Sequence, residues 1–214
     1  MRTRPVAIAA MTVGLFAAPT ANPSVTREYV GEYRLTYYHV AVEDGRYDGE
    51  PRTELLRDPA GCELARVSAR YRRALDREGT GRLADGRVIN VAERTADGWR
   101  YVDLGPAHYG LGVGDVPLVP FRSVAADPRK LARGTRLYLP AFASWSLPDG
   151  TAHGGTFVVD DIGSAIRRNR LDIFIGDEAH PAPLEAVVPS HSRTPVYRLV
   201  RGSDGRVRDL LLEP

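Results

Sequence analysis

A mainly β fold, built as a barrel or a sandwich, is what this chain of 214 residues predicts. Three observations carry that expectation. Short runs of β-forming residues recur along the chain, Gly and Pro separate them, and only one stretch is a good candidate for a helix. Twenty-one glycines and sixteen prolines supply the turns. An apolar fraction of 43% is enough to build a core, so one compact domain over residues 36–200 is the simplest organisation.

The elements follow in order. Residues 22–35 are expected to be an N-terminal leader, loose at its start, with strand texture from Tyr33 to Val40. Glu43 to Pro59 is polar and reads as a surface loop. Leu64, Val67, Tyr71 and Leu75 recur at helical spacing between arginines, so Cys62 to Leu75 is the predicted amphipathic helix, ended by Gly79. Residues 43–75 together read as a helical and loop insertion. Asp85-Gly86 and Asp97-Gly98 flank a predicted hairpin through Val88–Val91. Gly105 to Gly114 reads as a loop. Further strands are expected at Phe121–Ala126, Thr135–Pro140, Thr156–Asp160, Leu171–Gly176 and Pro195–Val200, and 201–214 is left as a tail.

Charge narrows the function. Lys plus Arg number 29 against 27 Asp plus Glu, a balance that argues against a nucleic-acid binder. The N-terminus reads as an export signal over residues 1–21. Met1 to Arg4 is basic, Val6 to Ala18 is uncharged and too short to span a bilayer comfortably, and Ala17, Ala18 and Ala21 offer a cleavage site. A periplasmic or secreted protein without a stable membrane anchor is expected. Cys62 has no partner for an internal disulfide and reads as a small buried residue. His39, His180 and His191 lack metal-ligand spacing, so no metal and no cofactor are expected.

Three aspartates stand out. Asp127 closes Ser123-Val124-Ala125-Ala126-Asp127-Pro128, Asp161 lies in Phe157–Ile166, and Asp172 lies in Arg170–Gly176. Acids at the ends of apolar strands are costly to desolvate, and a fold that gathers them raises their pKa for proton transfer. Strict alternation puts Phe157, Val159 and Asp161 on one face and Val158 and Asp160 on the other, so one of the two adjacent acids faces a cleft. Asp127 also has a plain structural reading, because Asp-Pro starts turns by bonding nearby backbone donors.

These segments together resemble the three-aspartate (3D) domain family, related to the catalytic barrel of the membrane-bound lytic transglycosylase A family and to stationary-phase survival proteins. The resemblance runs from about Thr36 to Gly176. It rests on Gly81–Val88, Leu118–Ser123, Val124–Pro128, Gly134–Pro140, Asp161–Ile166 and Asp172–Gly176 in that order. It implies a six-stranded double-psi β-barrel and cleavage of peptidoglycan glycan strands. On this resemblance Asp161, Asp172 and Asp127 are the catalytic candidates, with Asp161 as acid and base. Thr36, Tyr37, Gly163, Ser164, Ala165 and His153 are the expected substrate contacts. The chain departs from the family's Asp-x-Gly-Gly-Ala-Ile-x-Gly at Ser164 and at Arg168, and the run Arg167-Arg168-Asn169-Arg170 is unusually basic.

The implied reaction needs no water. A muramyl 6-hydroxyl attacks its own anomeric carbon, giving a 1,6-anhydro end, while one carboxyl group first protonates the leaving oxygen and then accepts the hydroxyl proton. A hydrolase with two carboxylates and a non-catalytic wall-binding module are the competing expectations.

Overall fold

The computed structural model describes residues 25–201, except 108, 164, 179 and 180, and leaves the side chains at 181–183 and 201 undescribed. The export-signal segment, Ser164, His180 and the tail after Arg201 lie outside that range.

Eleven strands and two α-helices appear among the described residues. The first strand, β1, runs over Val25–Val42 and is much longer than its sequence texture suggests. The leader expected at 22–35 is therefore strand from Val25 onward. Its outer half pairs along its length with the last strand, β11 (Arg193–Arg201).

Beyond β1 the chain builds a lobe of its own. A hairpin of β2 (Glu54–Arg57) and β3 (Glu63–Val67) precedes α1 (Ala69–Glu78). The helix begins later than its apolar spacing predicts. Ser68 caps it by accepting from the Tyr71 amide, and residues 63–67 are already committed to the hairpin. Gly79, at φ +81°, ends it as expected. Tyr71 and Leu75 share one helical face and join Leu56, Val67, Leu83, Ile89 and Tyr101 in a core. The strands β4 (Thr80–Arg82), β5 (Val88–Thr95) and β6 (Gly98–Asp103) complete this lobe, so it reaches past the insertion expected at 43–75. Cys62, expected to be buried, is exposed in the turn between β2 and β3.

The larger lobe holds β7 (Ser123–Ala126), β8 (Arg136–Tyr138), β9 (Thr156–Asp161), β10 (Arg170–Asp177), the helix α2 (Pro181–Val187) and β11. The strand order is β10-β7-β9-β8-β11-β1, and β1 pairs again with β10, so the ladder of six strands returns to its start. The β1–β10 and β7–β9 pairs are parallel and the other four are antiparallel. Period-two alternation sorts the side chains. Leu35, Val124, Ala126, Val159, Leu171, Ile173 and Val196 enter the main core. Tyr38, Val40, Ala125 and Phe174 lie on the other face, in a smaller apolar cluster with Leu118 and Ile166.

Candidate active site

The strand registers bring two of the three aspartates into one row. Thr36 on β1 stands opposite Asp172 on β10, Asp172 opposite Ala125 on β7, and Ala125 opposite Asp161 on β9. Residues in register share a face, so both acids and Thr36 lie on the face of the smaller apolar cluster. Ala125, with its single methyl group, lies between the acids and is itself buried in that cluster. Two strand spacings separate the acid backbones, about 10 Å.

An irregularity in β9 makes this row possible. Val124 pairs with Val159, but the next residue, Ala125, pairs with Asp161, so Asp160 is an extra residue in the ladder. Strict alternation would have sent Asp161 to the face of Phe157 and Val159, inside the main core. The bulge turns it outward instead. The expected division of Asp160 and Asp161 between two faces does not hold either. Asp160 Oδ2 accepts from Ser123 Oγ at 2.6 Å, and Ser123 shares a face of β7 with Ala125. The backbone of Asp160 is fixed as well: its carbonyl accepts from Val113, and a Cβ at Gly112 would fall 2.3 Å from the same oxygen. The glycine-rich loop expected at 105–114 thus packs onto the bulge.

Asp161 holds one donor on each oxygen. The Tyr38 hydroxyl donates to Oδ2 at 3.1 Å and the Ile162 amide to Oδ1 at 2.8 Å. Burial pushes its pKa above the ordinary carboxylate value, the two donors offset part of that, and the charge of Asp160 adds to the rise. Asp172 is raised for the same leading reason, burial, with Thr36 and Arg170 pulling the other way and Glu78 and Asp161 pushing it up. Its Oδ1 is buried without a hydrogen-bond partner, and Arg170 Nη2 reaches only to 4.0 Å of Oδ2. Such an oxygen is costly when ionised and is relieved by a proton or by a ligand donor. Tyr38, Phe174 and Tyr109 form the apolar wall, with ring centroids 5.2 and 5.6 Å apart.

Asp127 shares no hydrogen bond or ion pair with the other two among the described residues. Its carboxylate accepts from the Arg129 amide, from Arg129 Nε and Nη2, and from the Arg168 amide at 2.8 Å. The Arg129 guanidinium and the Arg168 amide hold it well below the usual carboxylate range. It is the turn-forming aspartate of its structural reading, and it also ties down the loop between Asp161 and Asp172. Arg168, where the family has Gly, has φ +58°. A side chain there carries backbone strain of about 1–2 kcal/mol, and the Asp127 bond holds it in place.

The expected substrate contacts divide. Thr36 lies in the acid row. Gly163 and Ala165 line the loop after Asp161, and a Cβ at Gly163 would meet Ile166 at 2.4 Å. Tyr37 points the other way: it packs against the main core and donates to the Val188 carbonyl at 2.5 Å. His153 is buried, not solvated. Nδ1 accepts from the Gly155 amide, Nε2 bonds the Phe121 carbonyl, and Phe142, Trp145 and Phe157 surround the ring. Burial lowers its pKa to about 4, so it is a neutral core residue with both nitrogens committed. Sequence reasoning did not foresee the bond from Tyr38 to Asp161, the role of Arg170, or Asp160 on Ser123. The spacing of Tyr38 two residues beyond Thr36 was the one available signal. No group of three or more potential metal ligands occurs among the described residues.

Comparison with known proteins agrees with this arrangement at the level of fold. Residues 122–184, from β7 into α2, match the 3D domain family. Escherichia coli MltA with bound chitohexaose is similar in structure, with a TM-score of 0.55 at 16% identity over 80% of this chain and 72% of that one. The membrane-bound lytic murein transglycosylase of Agrobacterium tumefaciens gives a TM-score of 0.52 at 17% identity over 84% and 77%. No curated protein sequence matches the chain.

Proposed function

We propose that the chain, which carries a 3D domain on an MltA-like fold, is a murein lytic transglycosylase. It cleaves the β-1,4 bond between N-acetylmuramic acid and N-acetylglucosamine and leaves 1,6-anhydro-muramyl ends. The observation that supports this reading most is the acid row: two carboxyl groups, both raised by burial, flank the methyl group of Ala125 on one face. The chitohexaose bound by the E. coli neighbour supports a glycan ligand for this chain as well. The returning ladder of six strands, with two parallel pairs, supports a double-psi β-barrel as the scaffold.

In this mechanism Asp161 enters protonated, because its apolar wall disfavours the charge. It gives the proton to the leaving glycosidic oxygen. The carboxylate that remains accepts the proton of the muramyl 6-hydroxyl as that oxygen closes on C1, and Tyr38 and the Ile162 amide steady the charge meanwhile. Asp172, when ionised, opposes ionisation of Asp161. Asp127 acts at one remove, by holding the loop. A wall-glycan substrate calls for a location outside the cytoplasmic membrane, a reading that the basic and apolar pattern of residues 1–21 supports.

The test is product analysis. Sacculi digested by the purified protein should release muropeptides lighter by one water than hydrolysed ends, and Asp161→Asn should lower the rate at least ~100-fold with the fold retained. Water-added ends would mean a hydrolase. One observation favours a second reading, a wall-binding module: Arg168, at φ +58°, carries a side chain in the loop after Asp161 where the family has glycine. Sacculus binding without any cleavage would establish that alternative.

A further inference from the structure

A second cross-strand row lies beside the acid row, and it is made of arginine. Arg34 on β1 stands opposite Arg193 on β11 and also opposite Arg170 on β10. By alternation Arg34 shares a face with Thr36, and Arg170 shares one with Asp172. Three guanidinium groups therefore line one face two residues along from the acids, about 7 Å. The rows touch: Arg170 donates from Nε and Nη2 to Thr36 Oγ1, at 3.2 and 3.1 Å.

Two of the three arginines are electrostatically uncompensated, while Arg170 reaches Asp172 Oδ2 at 4.0 Å. Like charges directly opposite on a sheet destabilise it. Elsewhere the chain pairs many arginines, among them Arg52 with Glu43, Arg72 with Glu54 and Arg87 with Asp103. Neither Arg34 nor Arg193 has a carboxylate within 4.0 Å among the described residues. The side-chain partner of Arg34 is His191 Nδ1 at 2.8 Å, and both arginines are exposed. Glu32, two residues earlier on the same strand, makes no ion pair with Arg34 and bonds Tyr29 instead. Arg167, exposed in the loop after Asp161, spends its guanidinium on the Gly163 and Ile166 carbonyls.

From this geometry we infer that the Arg193–Arg34–Arg170 row is a subsite for carboxylates borne by the glycan, the acidic peptide stems attached to its muramyl residues. Guanidinium forks match carboxylates in pairs, and a row of them reads a flexible acidic stem without fixing its sequence. The stem would set which strands enter the cleft, and the acid row would cut. The inference rests on the wall-glycan reading above and deepens it.

Co-sedimentation tests it independently of cleavage. Three forms of sacculi are compared: intact, stripped of stems by an amidase, and treated to remove phosphodiester-linked polymers. The wild-type protein should bind intact sacculi roughly ten times more tightly than stem-stripped ones at low salt, and the difference should shrink at high salt. Polymer removal should leave binding unchanged. Arg34→Gln and Arg193→Gln should each reduce the preference roughly threefold, and the double variant should abolish it. Neither variant should melt at a lower temperature than wild type, because each removes like-charge repulsion. Equal binding of intact and stripped sacculi, or a loss caused by polymer removal instead, overturns the subsite. If sacculi bind with this preference but are never cut, the carboxylate subsite stands and the transglycosylase reading falls.

Discussion

Asp127 and the pair Asp161–Asp172 share a residue type and lie at the ends of neighbouring strands, yet their surroundings are opposite. Asp127 collects two backbone amides and an arginine fork, and its charge is stabilised. Asp161 holds two donors against an apolar wall, and Asp172 keeps one oxygen with none. The number of N–H and O–H groups aimed at a carboxylate, weighed against its burial, decides whether it serves as an anchor or as an acid. Three aspartates in an ordered motif do not have one job.

The sharpest way to break that contrast is Asp172→Asn. Turnover of purified glycan should fall about 100-fold, the low end for a group that aids proton transfer. Stability should move the other way. A raised carboxyl keeps its proton in the folded state where the unfolded chain has lost it, so wild-type stability declines as pH rises above the ordinary carboxylate range and through the raised pKa. The variant lacks that decline, and its melting temperature at pH 7 should exceed the wild-type value while matching it near pH 4. A lower melting temperature at pH 7 would mean that Asp172 is held as an anchor.

Tyr38→Phe sharpens the comparison from the other side, by taking a donor away from Asp161. The rate should drop about tenfold. The hydroxyl favours the ionised form, so its loss raises the Asp161 pKa further, and the alkaline limb of the pH–rate profile should move to higher pH. A limb that moves toward acid would contradict this arrangement. Asp127→Asn should have the smallest effect on turnover, within about threefold per folded molecule, the range expected where no reacting group is touched. Its effect is on the fold. The depressed pKa of Asp127 gives stability that is present above the unfolded carboxylate pKa, about 4, and is lost as pH falls through the folded value. The variant should melt lower than wild type at pH 7, and the gap should close on acidification.

Strand positions in the larger lobe were legible because Gly and Pro punctuate them: β7, β8, β9 and β10 lie within a residue or two of the runs that predict them. The helix start was misplaced because Leu64 and Val67 fit helical spacing while their segment pairs as a strand with β2. Local spacing cannot show a partner strand. The length of β1 was hidden for the same reason, since its outer half is set by β11. In the site, the motif pointed to Asp161 while alternation assigned it the wrong face, because one inserted residue in the ladder reverses every face beyond it. His153 and Tyr37 were misjudged because nothing in sequence tells a loop histidine from a buried one, or which neighbour of a tyrosine pair faces inward.

The returning ladder has a consequence for how the molecule comes into being. Among the described residues, the strand synthesised first, Val25–Val42, has as its main partners the two synthesised last, at Arg170–Asp177 and Arg193–Arg201. Apart from Ala41 and Val42, which pair with β4, a growing chain therefore leaves this strand without a mate until nearly all of the described sequence has emerged. A polypeptide cut short before Arg193 would keep the outer half of β1, Val25–Arg34, bare and prone to pair with its copies, so the nine-residue β11 acts as the clasp whose arrival ends the hazard.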